Sequence, residues 1–330
     1  MRQGIALIAF TGRGQTLAEE LSAVFGGVLR EKADLETQPL EIWTEENFRT
    51  REALIFVGAV GIAVRAIARH VQSKAEDPAV VCVDEMGRWA IPILSGHLGG
   101  ANVLARQIAE ITGGEAVITT ATDINAVFAV DLWARAQGMR VLQPERIRQV
   151  SAKGLRGERI LITCPWQIEG TPPPLVSLAA GGDVMVSCRA VKHQSLQLVP
   201  RILTLGIGCR RGTKVVALKK AFARFCEERG ILPEAVEYAA TINVKCDEEG
   251  ILSFCREMEW PLRFCSAKEL SSVPGDFTAS AFVQNSVGVD NVCERAAVLV
   301  SGGRLVEKKY AFDGVTFALA ERQVRFDWSI

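Results

Sequence analysis

The sequence predicts an α/β protein in which two α/β domains with mainly parallel sheets are joined by a small middle domain. Three observations carry this. Short apolar runs alternate with Gly-rich turns and helical patterns, the arrangement of βα units on a parallel sheet. The alternation lapses between about Leu142 and Arg201 and restarts at Ile202. The chain's 330 residues also exceed the roughly 250–300 at which a single core stops growing. The boundaries fall at 1–135 for the amino-terminal domain, 136–200 for the middle domain or linker and 201–330 for the carboxyl-terminal domain.

Ile5–Phe10 reads as the first strand, followed by Thr11-Gly12-Arg13-Gly14 and a helix from about Thr16 to Val28. Ala53–Val57 is a second strand, and Gly58-Ala59-Val60-Gly61 opens a helix near Ile62–His70. Ala79–Val83 and Trp89–Leu94 form paired strands about the turn Asp84-Glu85-Met86-Gly87. A Gly-rich turn at 95–100 leads into a helix from Ala101 to about Ile111, then a strand at Ala116–Thr120 and a helix near Ala126–Gln137. In the middle stretch the pattern gives a helix at 145–153 and short strands at Arg159–Thr163, Val184–Cys188 and Leu196–Val199, with Pro172–Pro174 as stiff punctuation.

Strand Ile202–Ile207 restarts the βα pattern, with Thr213 as the expected N-cap of a helix stopped by Gly230. A strand at Ala240–Val244, a helix to Glu257 and a strand at Leu262–Cys265 follow, then a capped helix from Ser266. A helix near Asn291–Val300 and strands at Arg304–Glu307 and Val315–Ala320 complete the domain.

Composition narrows the function classes. Lys plus Arg equals Asp plus Glu at 38 each, so the basic excess of a nucleic-acid binder is missing. The longest stretch free of charge, Trp89–Ala105, is interrupted by Pro92, His97 and glycines and is shorter than a membrane span needs. The amino terminus lacks a signal peptide's cleavage site and reads directly as a strand. Nine Cys without a C-x-x-C pair, and three His, argue against structural zinc and for reduced thiols in a cytoplasm. No metal site of the protein's own is expected.

In open α/β sheets ligands bind beyond the carboxyl ends of strands, where helix N-termini offer unpaired N–H groups. The Gly-rich turns sit at those positions. Thr11–Gly14 is either an anion cradle with Arg13 or a plain tight turn. Gly58 and Gly61 with Arg65 could hold a carboxylate, or Arg65 could pair with a surface acid. No Walker or dinucleotide fingerprint points to a nucleotide.

Ser95-Gly96-His97-Leu98-Gly99-Gly100-Ala101-Asn102 carries the most information. A His flanked by glycines at a strand end suits acid–base work near neutral pH, against the alternative of a structural His. A hairpin would put Asp84 and Glu85 at the opposite end from His97. Ser95 suits a cap or ligand contact, since no triad spacing supports a nucleophile. Thr119, Thr120, Thr122 and Asp123 offer hydroxyls and a carboxylate at another strand end; Asp123 either orients His97 or caps the next helix. Residues 201–229 hold eight Lys or Arg against two Glu, with Arg210 and Arg211 at a strand-to-helix turn suited to carboxylate or phosphate. Cys209 could ligate a metal or pack inertly, and packing is favoured.

Residues 58–65, Asp84-Glu85 with Gly87-Arg88, residues 94–102 and 119–123 resemble the amino-terminal signature of the cobalt-precorrin-5A hydrolase (CbiG) family of anaerobic cobalamin synthesis. Residues 206–213 and 288–297 are similar to that family's carboxyl-terminal domain. The resemblance runs in order from residue 11 to about 318. It implies that water opens a δ-lactone of a cobalt-bearing macrocycle and that a two-carbon unit leaves as acetaldehyde. The macrocycle itself would be the electron sink, so cobalt arrives with the substrate and no further cofactor is implied.

Under this resemblance His97 is the general acid/base with Asp123 or Glu85 as partner, and the amides of 96–100 hold the oxyanion. Gly58, Gly61, Arg65, Ser95, Gly96, Gly99, Gly100, Asn102, Thr120, Thr122, Gly208, Cys209, Arg210, Arg211, Thr213 and Asp290 are the expected substrate contacts. The implied partner is a small-molecule cobalt-corrinoid, with no nucleic acid and no membrane. A homodimer and transient contact with neighbouring pathway enzymes stay open. Two competing functions stay open as well: a non-catalytic corrinoid carrier or chaperone, and a sugar-phosphate or nucleotide-binding α/β enzyme.

Overall fold

Runs apolar at every position, such as Ala53–Val57 and Ala79–Val83, suit strands covered on both faces. In the computed structural model they form the centre of a six-stranded sheet. The structure describes residues 3–30, 39–73, 76–97, 99–125, 127–191 and 194–330, without the side chains of Thr122 and Phe282. It divides into two units, residues 1–135 with 144–159 and Ile330, and residues 136–143 with 160–329.

The first unit runs β1 (Ile5–Ala9), α1 (Gly12–Phe25), β2 (Val28–Leu29), α2 (Leu40–Thr50), β3 (Ala53–Val57), α3 (Val60–Ile67), β4 (Ala79–Val83), β5 (Trp89–Leu94), α4 (Ala101–Thr112), β6 (Glu115–Ala116), α5 (Ala121–Ile124) and α6 (Val130–Ala136), with α7 (Ile147–Leu155) added from beyond residue 143. Strand order is β2-β1-β3-β4-β5-β6, parallel except for the β4–β5 hairpin. Alternate residues feed two apolar layers. Leu7, Ile55 and Val81 meet Leu21, Leu104 and Ile108 on one face. Ile8, Phe56 and Val80 meet Trp43, Phe48 and Ala63 on the other.

Four details differ from expectation. Helix α1 starts at Gly12, because Thr11 accepts the Gly14 amide at 3.0 Å and so caps it; the Gly turn is the helix's first turn. Helix α2, which buries Trp43 and Phe48, was not expected. Strand pairing at Ala116–Thr120 reduces to Glu115–Ala116. The single helix expected near 126–137 is instead α5 and α6, α5 ending where the Asn125 side chain donates to the Ala121 carbonyl.

The second unit carries β7 (Met139–Val141), β8 (Ile160–Thr163), β9 (Ile168–Glu169), β10 (Val176–Leu178), β11 (Val184–Val186) and β12 (Leu196–Pro200). These are followed by β13 (Leu203–Cys209), α8 (Val215–Arg229), β14 (Val236–Ile242), α9 (Glu249–Glu257), β15 (Leu262–Cys265), α10 (Ala267–Ser272), α11 (Ala281–Val287), α12 (Cys293–Ser301), β16 (Arg304–Phe312), β17 (Val315–Glu321) and β18 (Phe326–Asp327). The stretch 136–200 builds a sheet of its own, β10-β8-β11-β12-β7. Its Cys188 and Val199 pack into the same buried cluster as Phe222, Phe225, Phe254 and Phe317 of the following sheet, β15-β14-β13-β17-β16. Strands β13, β14 and β15 are parallel, while β17 runs against β13 and β16 against β17.

Gly230 ends α8 in the left-handed conformation, and Ser266 with Glu269 forms a capping box on α10, as their sequence positions predict. Thr213 does not cap α8: its hydroxyl donates instead to the Arg210 carbonyl at 2.7 Å, and Lys214 holds the cap position.

Gly206 is required by close approach. A Cβ there would lie 1.8 Å from the Cys293 carbonyl oxygen, because α12 packs backbone to backbone on β13. Gly206→Ala is therefore expected to destabilise the chain by roughly 1–3 kcal/mol or more, read as a lowered denaturant midpoint; an unchanged midpoint would contradict this packing.

Candidate active site

His97 leaves β5 on a loop that coils back onto α4. Ser95 sits at φ 55° and Gly100 at φ 87°, both left-handed. The coil lets the Ala101 amide donate to the Ser95 carbonyl (3.1 Å), Asn102 to Gly96 (2.9 Å) and Gly100 to His97 (2.8 Å). The Gly100 amide is thus engaged within the loop, which removes it from the donors expected to hold an oxyanion. The glycines make room for the protein's own side chains. A Cβ on Gly96 would lie 2.7 Å from Asn102 Oδ1, on Gly99 2.3 Å from Ser95 Cβ, and on Gly100 1.7 Å from Arg135 Nη1.

The loop delivers His97 between two carboxylates. Its Nε2 lies 2.8 Å from Asp123 Oδ2 on α5, and its Nδ1 lies 3.1 Å from Asp131 Oδ2 on α6. Side-chain exposure is 13% for His97, 11% for Asp123 and 7% for Asp131. Arg106 Nη2 donates to Asp123 Oδ1 at 2.6 Å. The Asn102 amide bridges Thr120 Oγ1 (2.7 Å) and Asp123 Oδ2 (3.1 Å). Arg106 and the His97 ring thereby face two carboxylates. Ser95 Oγ and Asp131 Oδ1 are buried without a hydrogen-bond partner among the described residues, an arrangement costing about 1–3 kcal/mol for each such group.

The hydrogen bond to Asp131 raises the His97 pKa above its ordinary 6.5; burial opposes this, and the Asp131 and Asp123 charges reinforce it. Burial alone would raise the Asp123 pKa, but the bonds from His97 and Arg106 outweigh it and hold it low. A raised His pKa contributes stability that is complete below the unfolded value of about 6.5 and lost as pH rises through the folded one. A lowered Asp pKa contributes stability complete above about 3.9 and lost as pH falls. The stability difference between the unaltered chain and His97→Gln should therefore be greatest between about pH 4 and 6.5. Denaturant melts across pH would contradict the ion cluster if that difference grew toward alkaline pH.

The structure brings together His97, Asp123, Asn102 and Thr120 of the expected residues, with Ser95, Gly96 and Gly100 forming the loop. It does not bring Glu85 to His97. Glu85 lies on the turn at the far end of the β4–β5 hairpin and accepts the Thr11 hydroxyl at 2.6 Å. Gly58 donates its amide to the Val83 carbonyl, while Gly61 and Arg65 are exposed on α3. Leu98 and the Thr122 side chain lie outside the described residues.

Asp131 and Arg106 were missed. Asp131 is an acid inside the apolar run Phe128–Trp133, and a charge in such a run is the signal that could have found it. Arg106 stands four residues after Asn102 on the same face of α4.

In the second unit a cavity of about 890 Å³ opens where β13 and β14 end. Gly208, Cys209, Arg210 and Arg211 line it, and burial raises the Cys209 thiol pKa. Arg211 forms a forked pair with Asp247 at 3.1 and 3.2 Å. Thr213 does not line the cavity, nor does Asp290, which is held by Arg295 at 2.7 Å.

A family model described as Cobalamin synthesis G N-terminal (CbiG_N) matches residues 42–123. A second, Cobalamin synthesis G C-terminus (CbiG_C), matches residues 203–320. A cobalt-precorrin-5A hydrolase from Salmonella typhimurium is 33% identical over 349 aligned residues, covering 96% of this chain and 97% of the relative. The chain belongs to the CbiG family. A cobalt-precorrin-5A hydrolase from Priestia megaterium is 28% identical, with 96% of this chain and 95% of the relative covered. The crystal structure of a cobalamin biosynthesis protein G homolog from Sulfolobus solfataricus is similar over 97% of each chain at 23% identity and TM-score 0.40. In this CbiG chain His97 and Asp123 fall inside the amino-terminal match and Asp131 beyond it, and the cavity's lining belongs to the carboxyl-terminal match.

Proposed function

We propose that this chain hydrolyses cobalt-precorrin-5A, water opening the δ-lactone of the macrocycle before the two-carbon unit leaves as acetaldehyde to give cobalt-precorrin-5B. The observation that carries the reading is the His97 ring held by both its nitrogens between Asp123 and Asp131 in a CbiG chain whose near full-length relatives bear that activity in their names.

Lactone hydrolysis needs a base for the attacking water and a proton for the departing ring oxygen: the Asp123 carboxylate, freed from the ring, takes the water's proton, and the imidazolium of His97 supplies the other from Nε2. Substrate reaches that proton by displacing the Asp123 carboxylate, which Arg106 and Asn102 keep close by. Asp131 holds Nδ1 and fixes the ring. The imidazole left behind then takes the carbinol proton as the carbon–carbon bond breaks, which restores the imidazolium. The electron pair of that bond passes into the conjugated macrocycle, whose cobalt arrives with the substrate, so the protein's part is to bind, orient and move protons. The expected compartment is the cytoplasm, in keeping with nine free thiols.

Turnover in heavy-oxygen water tests the first step. Attack at the lactone carbonyl leaves one solvent oxygen in a carboxylate of the macrocyclic product. A macrocycle without solvent oxygen would overturn the assignment.

A further inference from the structure

We propose that the cavity of the carboxyl-terminal domain is a macrocycle-binding site that recognises a flat apolar ring by its walls and the ring's carboxylate arms by Arg210 and Lys309. The ring's identity rests on the hydrolase reading; the site itself rests on the residues of the second unit.

Three features of the cavity point to this ligand class. It lies at the carboxyl ends of the parallel strands β13 and β14, where open α/β sheets take ligands. At about 890 Å³ it stands near the top of the range for small-molecule sites, far more than a single carboxylate or phosphate fills. Its walls are largely apolar, with Ile242 below, Val283 and Val287 from α11 and Phe312 and Val315 from the β16–β17 hairpin.

The charge on those walls is one-sided. Arg210, Arg211, Lys245 and Lys309 line the cavity, against Asp313 as the acid among the described lining residues. Lys245 is paired with Glu248 at 3.1 Å and Arg211 with Asp247. Arg210 and Lys309 make no ion pair among the described residues. They come from different elements, Arg210 from the end of β13 and Lys309 from β16. A largely apolar cavity carrying two uncommitted cations complements an apolar ring carrying anions around its edge. A nucleotide would need a cradle of backbone amides for its phosphates, and the turn 206–213 carries neither a Walker nor a dinucleotide fingerprint.

The test uses the full chain and equilibrium binding, followed by visible absorbance. The probe is cobyrinic acid, a cobalt corrin whose arms are free carboxylic acids, beside its fully esterified counterpart and ATP. The acid is expected to bind at least about 10-fold more tightly than the ester, since hydrogen bonds between charged partners are stronger than neutral ones. Arg210→Gln with Lys309→Met removes both charges and should weaken the acid at least about 10-fold while leaving the ester unchanged; each single variant, should the pair fail to fold, should give part of that loss. Equal binding of acid and ester, unchanged affinity in the folded double variant, or displacement by ATP would each overturn the site. Acetaldehyde release is read separately. A chain that binds the acid but releases none sinks the hydrolase reading and keeps this site, and the converse sinks this site alone.

Discussion

Replacing His97 with Gln should lower turnover of cobalt-precorrin-5A at least about 10²-fold, the lower end for an acid–base residue. Gln is similar in length and still donates a hydrogen bond, so it can keep contact with Asp123 or Asp131. It cannot carry a proton to a departing oxygen. The loss should appear in kcat with little change in KM, the pattern of an interaction made in the transition state. Circular dichroism and a denaturant melt would establish that the variant is folded. Near-normal turnover by a folded His97→Gln chain would remove His97 from the chemistry.

Asp131→Asn is expected to cost about as much, roughly 10²-fold in kcat, although Asp131 need not touch substrate. Its carboxylate receives Nδ1–H and so fixes both the ring's orientation and its charged form. Asp131 is also the largest cause of the raised His97 pKa. The amide keeps the shape and removes the charge. If the imidazolium is the working form, activity in the unaltered chain falls as pH rises through the raised His97 pKa, and in Asp131→Asn the same fall comes at lower pH. A purely structural role would reduce the amount of folded enzyme and leave the pH of that fall in place. A rate profile with an unmoved alkaline limb would therefore assign Asp131 to stability alone.

How much was legible follows from what each residue's signal depends on. Unbroken apolar runs such as 53–57 and 79–83 announce buried parallel strands, and both strands have the bounds read from the sequence. His97 was legible because glycines surround it, even though those glycines turn out to accommodate Asn102, Ser95 and Arg135. Its partners were harder to read. Glu85 is close to His97 in sequence but separated from it by the length of a hairpin. Asp131 is thirty-four residues away, and α5 and α6 bring it to the ring. The broken helix at 121–136 hid it, since the break comes from an Asn side chain and a buried Phe128, which leave no periodic trace. Helix α2 escaped because its buried Trp43, Thr44 and Phe48 include a polar residue that bonds back to Leu40.

The measurement closest to the central claim is anaerobic incubation of the purified chain with cobalt-precorrin-5A, following acetaldehyde and macrocycle mass together. The account predicts stoichiometric acetaldehyde and a macrocycle lighter by the two-carbon unit, sustained over many turnovers and abolished to background on that timescale in His97→Gln. Tight binding with unchanged mass and no acetaldehyde would contradict it, and the chain would then be a corrinoid carrier in which His97, Asp123 and Asp131 hold a loop rather than move a proton.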